Sequence, residues 1–197
     1  MNRRKVLQIP LLIGMLANPV LSRLANGQSQ PQQQTHQCIN LPDLFDQFFI
    51  DGAGFEVPST LKAKRTAYVV FDPQCPDCIH FWRMASAVRE RIRFIWFPVA
   101  VLNARSELQG AFILSSASPI EAMARQVMQF DTPSRGLPTD NIAISNSARD
   151  TVWRNSRIFR RAGGKSVPYI LYQDEQNTVR GSANIATSDA LTAFLNI

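Results

Sequence analysis

Two unbroken apolar runs stand out in the middle of the chain. Residues 66–72 (TAYVVFD) and 93–100 (RFIWFPVA) are rich in β-branched and aromatic side chains and carry charge only at their ends. Short runs of this composition are typical of strands buried on both faces of a sheet. The three large aromatic side chains of the second run, Phe94, Trp96 and Phe97, are therefore predicted to lie in the core rather than to stack on nucleic-acid bases.

Residues outside these runs follow helical spacing instead. Between residues 41 and 49 two leucines and three phenylalanines recur every one to four positions, with Pro42 early in the turn, which predicts a short amphipathic helix. A second helix is predicted from about Pro76 to Arg91, because four apolar side chains share one face. Further helices are predicted over residues 105–117, 119–130 and 146–162 and, capped by Thr187 or Ser188, at the carboxyl end.

Three shorter segments complete the predicted sheet. Residues 55–57 fit a small strand, and residues 168–173 and 176–180 are predicted as two strands joined by a turn. The resulting order is strand, helix, strand, helical insertion, two strands and a final helix. This order predicts an α/β protein with a mixed central sheet and helices on both faces.

The first 25 residues have the three-part pattern of a secretory signal peptide. A cationic start precedes an uncharged apolar stretch at residues 6–21, and small residues follow at Ser22 and Ala25. Proline and glycine interrupt the stretch, which argues against a membrane-spanning anchor. The pair Arg3 and Arg4 also resembles the twin-arginine export motif, so the general secretory route is favoured while the twin-arginine route stays open.

Residues 26–38 are polar and rich in glutamine, which predicts a flexible linker before a folded domain over residues 39–197. The chain of 197 residues carries 21 Lys and Arg against 15 Asp and Glu, a formal charge of +6. Four of the basic residues and no acidic one belong to residues 1–25, so the processed chain would carry 17 basic and 15 acidic residues. A nearly neutral domain argues against nucleic acid as a partner.

The candidate chemistry is the pair Cys75 and Cys78, which enclose Pro76 and Asp77 where a buried strand turns into a helix. Such a pair is typical of a redox dithiol or of half a zinc site, and a structural disulfide is a third interpretation. The remaining cysteine and histidine side chains lack convincing spacing for the other half of a zinc site. Cys75 is predicted at the helix N-cap, where unpaired N–H groups and the helix dipole favour a thiolate. A redox dithiol is therefore favoured, and we expect no metal or cofactor.

Three segments carry a resemblance to a known family. Residues 71–82 (FDPQCPDCIHFW) resemble the active-site segment of the thioredoxin-fold periplasmic thiol:disulfide interchange proteins, and most of all the DsbG and DsbC family. Residues 166–170 (SVPYI) are similar to the cis-proline loop of that fold, and residues 111–119 (AFILSSASP) resemble the helical insertion of DsbG-like catalytic domains. The resemblance implies a thioredoxin-like, three-layer α/β/α catalytic domain, with its core at residues 60–197 and a helical insertion between the Cys-x-x-Cys helix and the cis-proline strand.

The resemblance also implies roles for the two cysteines. Cys75, as the exposed nucleophile, would attack a client disulfide, and the more buried Cys78 would resolve the mixed disulfide. The clients would be secreted proteins with cysteines, in the periplasm. The redox partner would be a membrane protein of the DsbD or DsbB kind.

Two positions near the cysteines depart from the family. Pro76 and Asp77 would modulate the pair, and the loop of Val167 and Pro168 would bind the client, with the proline in cis. Asp77 stands where the family carries Tyr or His, and its charge is expected to raise the pKa of Cys75 and make the couple more reducing than His would. Val167 stands where DsbG and DsbC carry Thr and the DsbA oxidases carry Val. The two departures point in opposite directions, so oxidase, isomerase and reductase activities all stay open.

The largest departure concerns the region before the catalytic domain. DsbG- and DsbC-like proteins have a separate dimerisation domain, and none fits here, which favours a monomer and weakens the isomerase interpretation. The alternatives are a monomeric DsbA-like thiol oxidase and a non-catalytic periplasmic client-binding chaperone. Cys38 stays open between a dispensable thiol, an intermolecular disulfide and a part in exchange.

Overall fold

The computed structural model describes residues 39–59, 61, 65–140 and 143–197, so the predicted signal peptide, the linker and Cys38 lie outside the described residues. None of the helices in the described part is long and apolar enough to cross a membrane. The elements of these residues follow in the order α1 (Leu41–Ile50), β1 (Phe55–Val57), β2 (Thr66–Phe71), α2 (Pro76–Ala85), β3 (Arg93–Pro98), α3 (Ala104–Ser115), α4 (Pro119–Gln129), α5 (Asn146–Arg161), β4 (Tyr169–Gln173), β5 (Val179–Ser182) and α6 (Ser188–Leu195).

The strands form one mixed sheet in the order β1-β3-β2-β4-β5. β2 and β3 are parallel, with Val69 opposite Trp96, whereas β1 on β3, β4 on β2 and β5 on β4 are antiparallel. The N–H of Val99 donates to the carbonyl of Phe71 at 2.8 Å, so the chain stays paired just past the ends of β2 and β3. Because β2 is the central strand, the segment that follows it leaves from the middle of the sheet.

Side chains alternate between the two faces of the sheet and so build two cores. Val69 and Phe71 of β2 pack with side chains from α2, α4 and α6 on one face. Val70, between them, packs with side chains from α1 and α5 on the other face. The predicted α/β/α layering is confirmed, and the helices α3 to α5 form the insertion between β3 and β4.

The aromatic side chains of β3 are buried, as predicted. Phe94, Trp96 and Phe97 are at most 3% exposed. The Trp96 ring lies 4.8 Å from that of Trp82 on α2 and 5.6 Å from that of Phe71 on β2, between ring centroids. Aromatic pairs at these separations add to the free energy of burial. They pack α2 and the end of β2 against the same ring of β3.

The second helix is shorter than predicted. α2 ends at Ala85, and residues 86–91 continue as turns in which Val88 donates to the carbonyl of Ala85 and Arg91 donates to that of Val88. Such bonds, three residues apart, mark a tightened 3₁₀-type chain. Val88 is still buried, so the apolar spacing runs past the point where the α-helix stops.

One further prediction is wrong in detail. The last strand covers Val179–Ser182 rather than residues 176–180, because the carboxylate of Asp174 accepts the N–H groups of Gln176 and Thr178 and bends residues 174–178 into a turn. Phe49 of α1 is 73% exposed, since Leu44 and Phe48 carry the buried stripe of that helix.

Candidate functional site

Cys75 is the N-cap residue of α2, as predicted. Its backbone is extended (φ −88°, ψ 118°), and its Sγ accepts the N–H of Cys78 at 3.3 Å. Pro76 follows at the first helical position. An N–H group there has no acceptor within the helix, so the proline costs the helix no hydrogen bond. The turn from β2 into α2 therefore aims an otherwise unpaired helix N–H group at the sulfur of Cys75.

A buried carboxylate holds the turn before Cys75. Asp72 is fully buried and accepts the N–H of Gln74 on Oδ1 at 2.8 Å. Its Oδ2 accepts the N–H groups of Val101 at 2.9 Å and Leu102 at 3.0 Å, from the loop after β3. Charge-assisted bonds of this kind are stronger than neutral ones. Sequence reasoning did not single out Asp72, although an acidic residue directly after a buried strand was the available signal.

The two thiols are both buried, and Cys78 more so. Cys78 has no exposed surface, and its Sγ accepts the N–H of Asp72 at 3.4 Å. Cys75, expected to be exposed, is only 5% exposed, which corrects that expectation. The reason is the loop before β4, where the carbonyl of Val167 accepts a hydrogen bond from Cys75 Sγ at 3.4 Å. The loop before β4 therefore covers part of the Cys75 sulfur.

The acidities of the two thiols diverge. The pKa of Cys75 is lowered, first by its hydrogen bond with the Cys78 side chain and then by the backbone N–H groups of Cys78 and Asp77, against burial and the charge of Asp77, which raise it. The pKa of Cys78 is raised well above its ordinary value, first by burial and then by its bond to Cys75 and the charges of Cys75 and Asp72. The pair therefore contains one thiol disposed to ionise and one that holds its proton.

The loop predicted to contact a client lies against the cysteines. The peptide bond between Val167 and Pro168 is cis, as the resemblance implied, and Pro168 is buried while Val167 is half-buried. A cavity of about 510 Å³ opens next to this loop. Its walls are formed by Asp77 and His80 of α2, by residues 166–168 and by residues 183–186.

Asp77 and His80 are both exposed at the rim of this cavity. The His80 ring lies with Nε2 3.3 Å from the carbonyl oxygen of Ala186, which joins α2 to the loop before α6. Asp77 occupies the second helical position, where a carboxylate is favoured by the helix dipole. The cavity thus has an acidic side chain at one wall and backbone groups of the cis-proline loop at another.

No three His, Cys, Asp or Glu side chains are grouped to hold a metal ion within residues 39–59, 61, 65–140 and 143–197. Cys38 and His36, which entered the zinc interpretation, lie outside those ranges. The described site offers two sulfurs, a cis-proline loop and a helix N-terminus, which is an arrangement suited to thiol:disulfide chemistry.

Comparison with known proteins agrees with this geometry. The thiol:disulfide interchange protein DsbG of Pseudomonas aeruginosa is 26% identical over 137 residues, which are 68% of this chain and 52% of that protein. The chain has a thioredoxin-like fold and resembles DsbG. It spans about half the length of this curated relative. No protein-family model matches the chain.

Solved structures of two thioredoxin-fold proteins superpose on the chain. A linker-deletion variant of Proteus mirabilis ScsC gives a TM-score of 0.60 at 19% identity, with 79% of each chain covered. Helicobacter pylori DsbG gives a TM-score of 0.55 at 20% identity, with 66% of this chain and 61% of that chain covered. At such identities the superpositions show the fold, and the thioredoxin-like, DsbG-like prediction is confirmed at that level.

Proposed function

We propose that the protein is an exported thiol:disulfide oxidoreductase that exchanges disulfides with secreted proteins in the periplasm. The observation that carries the proposal is the placement of Cys75, whose Sγ accepts a helix N–H and faces the carbonyl of Val167 beside the cis Pro168. A thiol with a lowered pKa at a helix N-terminus is an attacking group. The similarity to DsbG supports the same chemistry.

In the proposed exchange, the Cys75 thiolate attacks one sulfur of a client disulfide. A bond forms between Cys75 Sγ and that sulfur, the client S–S bond breaks, and the released client thiolate takes a proton from solvent. Cys78 then gives its proton to solvent and attacks Cys75 Sγ: the Cys75–Cys78 bond forms, the mixed disulfide breaks, and the second client sulfur leaves as a thiolate that takes a proton from solvent. The client gains two electrons and the protein loses two, and the reverse sequence oxidises a client.

The high pKa of Cys78 fits the resolving role in this sequence. In the free reduced protein Cys78 keeps its proton; once Cys75 Sγ is bound in a mixed disulfide it is no longer a thiolate, and one of the charges that raises the pKa of Cys78 is gone. Formation of the mixed disulfide would thereby activate the second cysteine.

Oxidation of clients is the second candidate direction. A lowered pKa at Cys75 stabilises the reduced, thiolate form, and a dithiol whose reduced form is stabilised is the stronger oxidant. Val167 before the proline points the same way, whereas the Asp77 charge opposes it. The equilibrium constant of the Cys75/Cys78 pair with glutathione measures how strongly the pair favours oxidising a client over reducing one.

Insulin reduction and refolding of scrambled ribonuclease test the proposal. We expect wild type and Cys38→Ser to be active and Cys75→Ala to be inactive in both assays. A chaperone would instead protect an aggregating client equally well with and without Cys75. Wild-type protein that neither reduces insulin nor refolds ribonuclease, while protecting clients independently of Cys75, would overturn the enzyme assignment.

A further inference from the structure

Three buried glutamines meet beside the turn that carries Cys75. Gln74 lies in the turn, Gln109 on α3 and Gln126 on α4, with 8%, 1% and 0% of their surfaces exposed. The amide oxygen of Gln109 accepts from Gln74 Nε2 at 2.7 Å and from Gln126 Nε2 at 3.0 Å. We call these three residues the glutamine cluster.

The cluster also binds the backbone on both of its sides. Gln126 donates from Nε2 to the carbonyl of Pro73 at 2.8 Å, two residues before Cys75, and accepts the N–H of Leu137 at 2.7 Å. Gln74 donates to the carbonyl of Arg135 at 2.6 Å. The insertion helices and the loop of residues 131–137 are thus tied directly to the turn before the cysteines.

Buried amides are costly when their hydrogen bonds are not made, and an apolar side chain would fill the same volume without that risk. The described bonds of the cluster end on Pro73, on Gln74 and on the loop of residues 131–137 rather than on the sheet. A purely structural role does not require the backbone of the Cys-x-x-Cys turn as an acceptor. The direction of the bonds points to the active-site turn as what the cluster holds.

We propose that the glutamine cluster is a set of positioning residues that fixes the turn before Cys75, and with it the placement of Cys75 Sγ against the N–H of Cys78 and the carbonyl of Val167. This inference rests on the proposed thiol:disulfide function. The turn is held from one side by the Asp72 carboxylate and from the other by the cluster. Since hydrogen-bond strength falls steeply with distance and angle, loosening either side weakens the hydrogen bond from the N–H of Cys78, which is the contact that favours a Cys75 thiolate.

Alkylation of Cys75 measures this placement without any client. In a reduced Cys38→Ser background, we expect Gln109→Met and Gln126→Met to slow iodoacetamide labelling of Cys75 at pH 6 by about three- to tenfold, with the pH profile displaced to higher pH. The matched control is Gln173→Met, which changes the same side chain at the exposed end of β4 and is expected to label at the wild-type rate.

Labelling rates and pH profiles equal to wild type in folded Gln109→Met and Gln126→Met proteins would overturn the inference, even if their thermal stability fell, because a merely structural role predicts that result. If Gln109→Met does not fold, Gln74→Met at the edge of the cluster tests the same claim by the same rates. Absence of both insulin reduction and ribonuclease refolding by the wild type would count against the proposed function, whereas the labelling rates still decide the role of the cluster.

Discussion

Cys75 and Cys78 lie one helical turn apart, and the N–H of Cys78 donates to the sulfur of Cys75 at 3.3 Å. The geometry is asymmetric: the sulfur at the N-cap receives helix N–H groups, while the sulfur inside the helix has no exposed surface. Thiolate character therefore concentrates on Cys75. The two sulfurs are therefore distinguished by their place in the helix, one at the N-cap and one buried inside it.

Selective labelling of the reduced protein follows from this asymmetry. In a Cys38→Ser background at pH 7 we expect iodoacetamide to label Cys75 at least about tenfold faster than Cys78, because a pKa difference of one unit changes the thiolate fraction about tenfold. The labelling rate should rise with pH and level off below the pH at which free glutathione levels off. Mass spectrometry of the labelled peptide identifies the sulfur.

The control for this experiment is the same protein in urea, where both thiols should react at similar rates. Cys75→Ser in the folded state should leave a thiol that stays almost unlabelled up to strongly alkaline pH, since burial raises the pKa of Cys78. Equal rates for the two thiols in the folded protein would contradict the assignment of roles.

The charge of Asp77 raises the pKa of Cys75, against the hydrogen bonds that lower it. Replacing the carboxylate with an imidazole, as in Asp77→His, should lower that pKa and stabilise the reduced form. We expect a redox potential higher by on the order of 10–30 mV, measured by equilibration with glutathione. The carboxylate is exposed and ranks last among the causes of the shift, which keeps the expected effect modest.

Asp189→His is the matched control, because Asp189 holds the same second position in α6, away from the cysteines. It should leave the potential unchanged. An unchanged or lower potential in Asp77→His would refute the proposed influence of this charge.

Much of the fold was predictable from local pattern. The runs at β2 and β3 are apolar throughout because both faces of these strands are covered, and the change from strand to helix placed Cys75 at an N-cap. The cis peptide before Pro168 came from the resemblance to a family, since the residues alone favour trans.

Most of what escaped prediction depends on contacts between residues that are far apart in the chain. The burial of Cys75 comes from Val167, which lies 92 positions away along the chain. Gln109 and Gln126 sit on inward faces of their helices, but an uncharged amide there gives no sign of its partner until the loop of residues 131–137 is placed against it. The end of α2 was missed because its apolar spacing continues into the following turns.

The substitution Asp72→Asn gives the strongest single prediction for the free energy of unfolding. In Asp72→Asn one carboxylate oxygen becomes an NH₂ group that faces at least one backbone N–H, at Gln74 or at Val101 and Leu102. A buried donor without an acceptor costs about 1–3 kcal/mol, so the free energy of unfolding should fall by that amount. Guanidinium unfolding of the reduced protein measures it.

The exposed Asp46 on α1 provides the comparison. Asp46→Asn removes the same charge from the surface and should change the free energy of unfolding by less than about 0.5 kcal/mol. Equal effects of the two substitutions would show that the Asp72 carboxylate does not hold the turn.

Gly136 is a loop position where the glutamine cluster itself restricts the sequence. Its φ is +106°, and a Cβ atom there would lie 2.1 Å from Nε2 of Gln126, far inside van der Waals contact. Gly136→Ala therefore adds displacement of the Gln126 amide to an unfavourable backbone conformation, and should lower the free energy of unfolding by about 1–3 kcal/mol.

Gly163, with φ +90° after α5, shares the backbone conformation but lies outside the cluster. Gly163→Ala should destabilise the fold without changing Cys75 labelling, whereas Gly136→Ala should also slow labelling at pH 6. Slowed labelling in both variants, or in neither, would contradict this prediction, because it would show that the contact between this loop and Gln126 does not set the reactivity of Cys75.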